Sequence, residues 1–184
     1  YANIQSSLAG AERVFSILDL EEEKVKEGKK ELIVFNKLIE FQNVSFKYPS
    51  RDAAVLTSIN LSVAKSKILA IVGMSGAGKT TLVDLLFRFH DPSAGNILID
   101  GVNIKDFTLK SLRGNMALVS QETFLFNDTV RKNIAYGRPD ASEDDILRAS
   151  QAAHVDSFVN DFEDGYSTII GERGVKLSGG QRQR

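Results

Sequence analysis

The chain has 184 residues, 42% of them hydrophobic and 26% charged, which suits one sizeable core with an appended layer and excludes a disordered chain. Its 23 basic and 24 acidic residues are interspersed and leave a net charge of −1, which argues against nucleic acid as a partner. Cysteine is absent, so disulfides and thiolate metal sites are excluded, and no run reaches the ~18 to 20 apolar residues of a membrane span.

In chain order, Ile4, Leu8, Ala11, Phe15 and Leu18 fall three or four apart and predict a helix ending near Leu20 with one apolar face. That face either packs on the chain's own core or belongs to the tail of a longer element. Glu21 to Glu31 is almost wholly charged, so residues 21–37 read as a solvated linker. Ile39 and Phe41, then Val44, Phe46 and Tyr48, alternate with polar residues, and the phase slips at Gln42-Asn43 as a β-bulge allows. Tyr48 closes this strand before the turn Pro49-Ser50-Arg51-Asp52, where its ring can stack on a planar ligand or cap the core edge. Leu56 to Val63 alternates again, giving a second antiparallel strand.

The most informative stretch follows. Ile68 to Val72 reads as a buried parallel strand, Gly73-Met74-Ser75-Gly76-Ala77-Gly78-Lys79-Thr80 matches G-x-x-x-x-G-K-[ST], and Thr80 to Phe87 reads as an amphipathic helix. Glycines let consecutive backbone N–H groups curl around an anion, the helix N-terminus adds its dipole, and a lysine supplies a mobile positive charge. Strand, loop and helix together predict a nucleoside triphosphate site.

Beyond the helix, His90 to Gly95 is a break, and Asn96 to Ile99 with Asp100-Gly101 predicts a hairpin. His90 and His154 have no second ligand nearby in sequence and are not read as metal ligands. Thr108 to Arg113 predicts a short helix, and Met116 to Ser120 a second buried strand. The latter ends at Gln121, where polar residues of α/β sheets face the ligand crevice, so Gln121 is a candidate contact for water or a metal ion. Asn127-Asp128 can cap a helix through Ile134, and Ser142 with Asp145 forms a capping box opening a helix to about His154. Residues 123–164 thus read as a largely helical subdomain beside the sheet. Near the end, Ser178 can cap a further helix, while Gly179 and Gly180 expose N–H groups for a second anion.

Gly73 to Thr80, Gln121 and Leu177-Ser178-Gly179-Gly180-Gln181 resemble, in order and spacing, the Walker A, Q-loop and signature motifs of an ABC transporter ATP-binding domain. Phe126 to Gly137 and Gly171-Glu172-Arg173-Gly174 resemble exporters of the lipid A and multidrug type. The chain departs from the exporter pattern at Ile169, where an acidic residue is usual, and at Lys65-Ser66-Lys67, which lacks a common glycine. The resemblance covers nearly the whole chain. It implies an α/β fold of the P-loop NTPase (RecA-like) class, with an antiparallel β subdomain and a helical subdomain over about 123–184.

For function, the resemblance implies an ATPase domain that drives export of a lipid or hydrophobic compound, rather than a soluble ABC ATPase of DNA repair or translation. It implies ATP and Mg²⁺ as ligands. Gly73, Ser75, Gly76, Ala77, Gly78, Lys79, Thr80 and Thr81 would hold the phosphates, Thr80 and Gln121 the metal ion, and Lys79 and Gln121 would serve catalysis. Tyr48 becomes the aromatic that stacks on adenine. Ser178, Gly179, Gly180 and Gln181 would touch ATP held by a second ATP-binding domain in a head-to-tail dimer.

Residues 1–20 become the continuation of a membrane helix from an upstream transmembrane domain, which places residues 38–184 at the cytoplasmic side of a membrane. The Walker B strand, D-loop and H-loop of the family would follow Arg184. The fold is therefore expected to be interrupted before the Walker B strand, and the stretch as it stands to bind nucleotide weakly without hydrolysing it.

Overall fold

The computed structural model describes residues 2–19, 28–120 and 123–184. They fall into two compact units, residues 1–117 and 118–184. The first opens with α1 (Ala2–Leu18). Its apolar face finds no cover among the described residues, since Leu8, Phe15, Ile17 and Leu18 are all exposed. Among the described residues no helix is long and apolar enough to cross a membrane.

Strands β1 (Leu38–Phe46) and β2 (Leu56–Ala64) pair antiparallel. As the phase slip predicts, their register shifts between Phe41 and Val44. The extra residue turns Val44 inward, so that Phe41, Val44 and Phe46 are all buried. Next come helix α2 (Lys79–Leu86), strand β3 (Ala94–Ile99), the two-residue strand β4 (Val102–Asn103) and helix α3 (Leu109–Gly114). The sheet order is β2-β1-β3-β4, antiparallel throughout. Leu82 and Leu85 of α2 join Phe41, Val44, Phe46, Leu56, Ile97 and Ile99 in one core. The phosphate-loop helix is thereby fixed on this sheet by burial of its apolar face.

Two expected strands do not form. Among the described residues, 68–72 and 116–120 form no ladder, and Ile68 is 99% and Val72 90% exposed. A parallel strand lives on ladder hydrogen bonds to neighbours and on cover for both faces. Among the described residues neither run forms a ladder, and although Met116 packs against the core of the first unit, Ile68 and Val72 stay open to solvent. Their apolar composition expresses a demand for burial that local sequence cannot meet.

The solvated linker also stops short of its expected end. Lys30 bridges to Phe107, Leu32 is buried in the core, and the Asp100 carboxylate accepts the backbone N–H groups of Asn36, Lys37 and Leu38 at 2.7 to 2.8 Å. Burial pushes the Asp100 carboxyl up, but these three donors outweigh it and hold it below the ordinary aspartate value.

The second unit is helical. It contains α4 (Val130–Ala135), α5 (Glu143–Ala152), α6 (Asp156–Val159) and α7 (Gly179–Gln183) around a core of Val130, Val155, Phe158, Val159, Ile170 and Leu177. Thr129, one residue beyond the expected Asn127-Asp128, is the cap of α4, and Asp128 instead pairs with Lys132 at 3.0 Å. The Ser142–Asp145 capping box opens α5 as the sequence predicts. Arg131 binds Glu143 across α4 and α5 and pulls that carboxyl below its ordinary value.

Candidate functional site: a phosphate loop and a serine-capped glycine pair

The first unit presents the loop 73–78 ahead of α2. Gly78 immediately precedes the helix in the left-handed conformation, φ 87° and ψ 10°. A Cβ there would lie 2.8 Å from Leu56 Cδ2 and 3.2 Å from the Val55 carbonyl oxygen, so glycine is demanded both by the turn and by the strand beneath it. Gly76 is also left-handed, at φ 80°, but stands in open space. Lys79 folds back over the loop and donates to the carbonyls of Gly73 at 2.9 Å and Met74 at 2.8 Å. Its ammonium therefore sits where the loop's backbone converges.

An anion fits this arrangement on a separate ground. Helices α3, α4, α5 and α7 each begin with a serine or threonine hydroxyl that accepts a first-turn N–H. The four-residue α6 has no side-chain cap, and neither does the longer α2, for among the described residues no side chain caps it. Its first-turn N–H groups and positive dipole end face the loop, with Lys79 alongside, which is the donor set a phosphate requires. The exposed Thr80 offers a hydroxyl beside the same N-terminus, a hard oxygen ligand suited to Mg²⁺. Ser75 and Ala77 are exposed on the loop, and the Ala77 N–H closes a turn on the Met74 carbonyl at 3.2 Å.

Tyr48 stands in the same unit, at the end of β1. Its ring meets Phe46 edge to face at 4.8 Å and His90 at 5.3 Å, and its hydroxyl lies 3.2 Å from the Thr81 hydroxyl of α2. The ring thus sits on the core edge and is also tied to the phosphate-loop helix. His90 takes part in this aromatic group, stacking on Phe46 at 5.4 Å.

In the second unit, Ser178 caps α7 by accepting the Gln181 N–H at 3.3 Å, while the Gln181 side chain accepts the Ser178 N–H at 2.8 Å. Gly179 and Gly180 are exposed, with nothing near the position a Cβ would take. Leu177 is buried in the helical core and anchors the motif. Gln121 lies outside the described residues.

The family model for ABC transporters matches residues 56–184, which spans the phosphate loop and the serine-capped glycine pair. The chain belongs to the ABC transporter family. It is 51% identical over 182 residues to an ATP-dependent lipid A-core flippase of Syntrophus aciditrophicus, covering 98% of this chain and 30% of that protein. It is 47% identical over 184 residues to the flippase of that name from Escherichia coli K12, covering 100% of this chain and 31% of that protein. Among solved structures, a bacterial Atm1-family ABC exporter with ATP bound superposes with a TM-score of 0.83 at 42% identity, over 99% of this chain and 32% of that one. The chain spans about a third of the length of the curated relatives it matches. This ABC domain is a nucleotide-binding domain, and its α/β fold with antiparallel and helical parts is that of the exporter domains.

Two supporting residues escaped the sequence reading. Arg88 is 1% exposed, and its guanidinium donates to Asp91 at 2.9 Å and to the Lys105 carbonyl at 3.2 Å. Arg113 donates to the Phe87 and Arg88 carbonyls at 3.1 and 3.0 Å, satisfying the C-terminal end of the ABC domain's phosphate-loop helix. Helical spacing carried no signal for Arg88, which follows the end of α2 in the left-handed conformation at φ 55°.

Proposed function

We propose that this chain is the ATP-binding part of an ABC exporter that couples ATP binding and hydrolysis to movement of a lipid of the lipid A class across a membrane, acting from the cytoplasmic side. The observation that carries the reading is the uncapped N-terminus of α2 behind a left-handed Gly78, with the Lys79 ammonium folded onto the loop. The flippase relatives, aligned over nearly the whole chain, support an exporter over a soluble ABC ATPase of DNA repair or translation.

In this reading Lys79 exchanges the Gly73 and Met74 carbonyls for the β- and γ-phosphates of ATP, joined by backbone N–H groups of residues 76–81. Thr80 and Gln121 hold Mg²⁺, which when bound neutralises charge on the phosphate oxygens. Gln121 also orients the attacking water, and Tyr48 stacks on adenine. Phosphoryl transfer needs mainly positioning and charge stabilisation, which such groups supply. Ser178, Gly179, Gly180 and Gln181 reach the γ-phosphate of ATP held by a second ATP-binding domain, giving a head-to-tail dimer. A transmembrane domain in the same protein carries the cargo path.

The test is reconstitution. The intact protein in liposomes containing lipid A is expected to move lipid A between leaflets only when ATP and Mg²⁺ are supplied, and Lys79→Ala is expected to abolish the movement. ATP-independent movement, or full movement by the Lys79→Ala protein, overturns the reading.

A further inference from the structure

The phosphate-loop helix and the aromatic at the end of β1 are joined by one hydrogen bond. Thr81 is 6% exposed, so its hydroxyl is withdrawn from water, and the partner it faces is the Tyr48 hydroxyl at 3.2 Å. Phe46, 4% exposed, and His90 flank the Tyr48 ring on two further sides at 4.8 and 5.3 Å, each nearly perpendicular to it. Three elements therefore restrain one half-buried ring: β1 through Phe46, α2 through Thr81, and the turn after α2 through His90.

Aromatic contacts leave a ring free to slide in its own plane, whereas a hydroxyl hydrogen bond fixes the far end of the ring at one point. That point lies two residues beyond Lys79 on the first turn of α2. The distance between the ring and the phosphate-binding backbone is thereby set by one short connection rather than by the long path through the sheet.

We propose that Thr81 is a positioning residue for base recognition: its hydroxyl locks Tyr48 at a fixed offset from the phosphate loop, so that a nucleotide whose phosphates occupy the loop meets an aromatic face already in place. The inference rests on the reading of Tyr48 as the adenine platform. Fixing the ring before the ligand arrives removes an ordering cost that binding would otherwise carry. The backbone N–H of Thr81 remains part of the phosphate cradle, and the side chain serves the base. Recognition of the two ends of the nucleotide is then coupled through one residue.

The experiment measures the affinities of the intact protein for ATP and for inorganic tripolyphosphate, which has the phosphates without the base. Loss of a neutral hydrogen bond corresponds to about fivefold in an equilibrium constant, so Thr81→Val and Tyr48→Phe should each lower the ATP-to-tripolyphosphate affinity ratio about fivefold. Thr81→Ser, which keeps the hydroxyl, should restore the ratio. The double variant Tyr48→Phe with Thr81→Val should lower it no further than either single change, since both remove the same bond. Equal weakening of ATP and tripolyphosphate by Thr81→Val would assign the hydroxyl to the phosphates and overturn the proposal. So would additive effects in the double variant. Tyr48→Ala separates the two levels. If it lowers the ratio while Tyr48→Phe and Thr81→Val do not, the platform stands and the lock fails; if it leaves the ratio unchanged, the platform reading itself fails.

Discussion

Replacing Gly78 by alanine should damage the fold more than the same change at Gly76, and the difference is calculable. Both residues are left-handed, at φ 87° and φ 80°, so each substitution carries the backbone penalty of about 1 to 2 kcal/mol for an L-residue in that region. Only Gly78 is crowded, with the new Cβ 2.8 Å from Leu56 Cδ2 and 3.2 Å from Val55 Cγ1 and its carbonyl oxygen. Leu56 is a buried core residue and the Val55 oxygen belongs to the backbone, so neither yields by turning into solvent. Overpacking of that kind costs about 1 to 3 kcal/mol. Gly78→Ala should therefore destabilise by about 2 to 5 kcal/mol in total, and Gly76→Ala by about 1 to 2. Urea unfolding of the intact protein, followed by the signal of this domain at unchanged m-value, reads both numbers. Equal midpoints for the two variants would refute the packing argument, and an unperturbed Gly78→Ala protein would refute the loop geometry altogether.

Other consequences concern the core and the acidic anchors. Leu85 is fully buried between α2 and the sheet, so Leu85→Ala should cost about 2 to 5 kcal/mol in the same unfolding measurement, and a loss under 1 would show that α2 is not seated there. The Asp100 carboxyl, held below its reference value of 3.8, stabilises the folded state fully above that value and progressively less as pH falls through its lower folded value. Asp100→Asn should flatten the acid limb of stability against pH below about 4, and an unchanged limb would show that the three backbone donors do not discriminate the charged form.

Much of the site was legible because its determinants are local. The spacing of Gly73, Gly78, Lys79 and Thr80 encodes a loop that must turn left-handed before a helix, and Ser142 with Asp145, and Ser178 alone, encode helix caps that close locally. The slip at Gln42-Asn43 was likewise visible as a break in alternation. What sequence could not supply was partnership at a distance. Residues 68–72 and 116–120 carry a strand-like apolar composition but acquire no ladder among the described residues. Asp100, read only as a turn residue, reaches back more than sixty positions to hold the approach to β1. The Arg88 and Arg113 clamp and the Tyr48–Thr81 bond also join elements remote in the chain, and periodicity carries no record of which remote elements meet.

We propose that residues 73–81 hold the phosphates of ATP, with Lys79 as the mobile charge. Equilibrium titration of the intact protein with ATP in the presence of Mg²⁺, comparing the native sequence with Lys79→Ala, tests it directly. A charge-assisted hydrogen bond contributes about 1.5 to 3 kcal/mol, so the variant should bind ATP roughly 10- to 150-fold more weakly while unfolding at the same urea midpoint. Undiminished ATP affinity in the Lys79→Ala protein would contradict the claim.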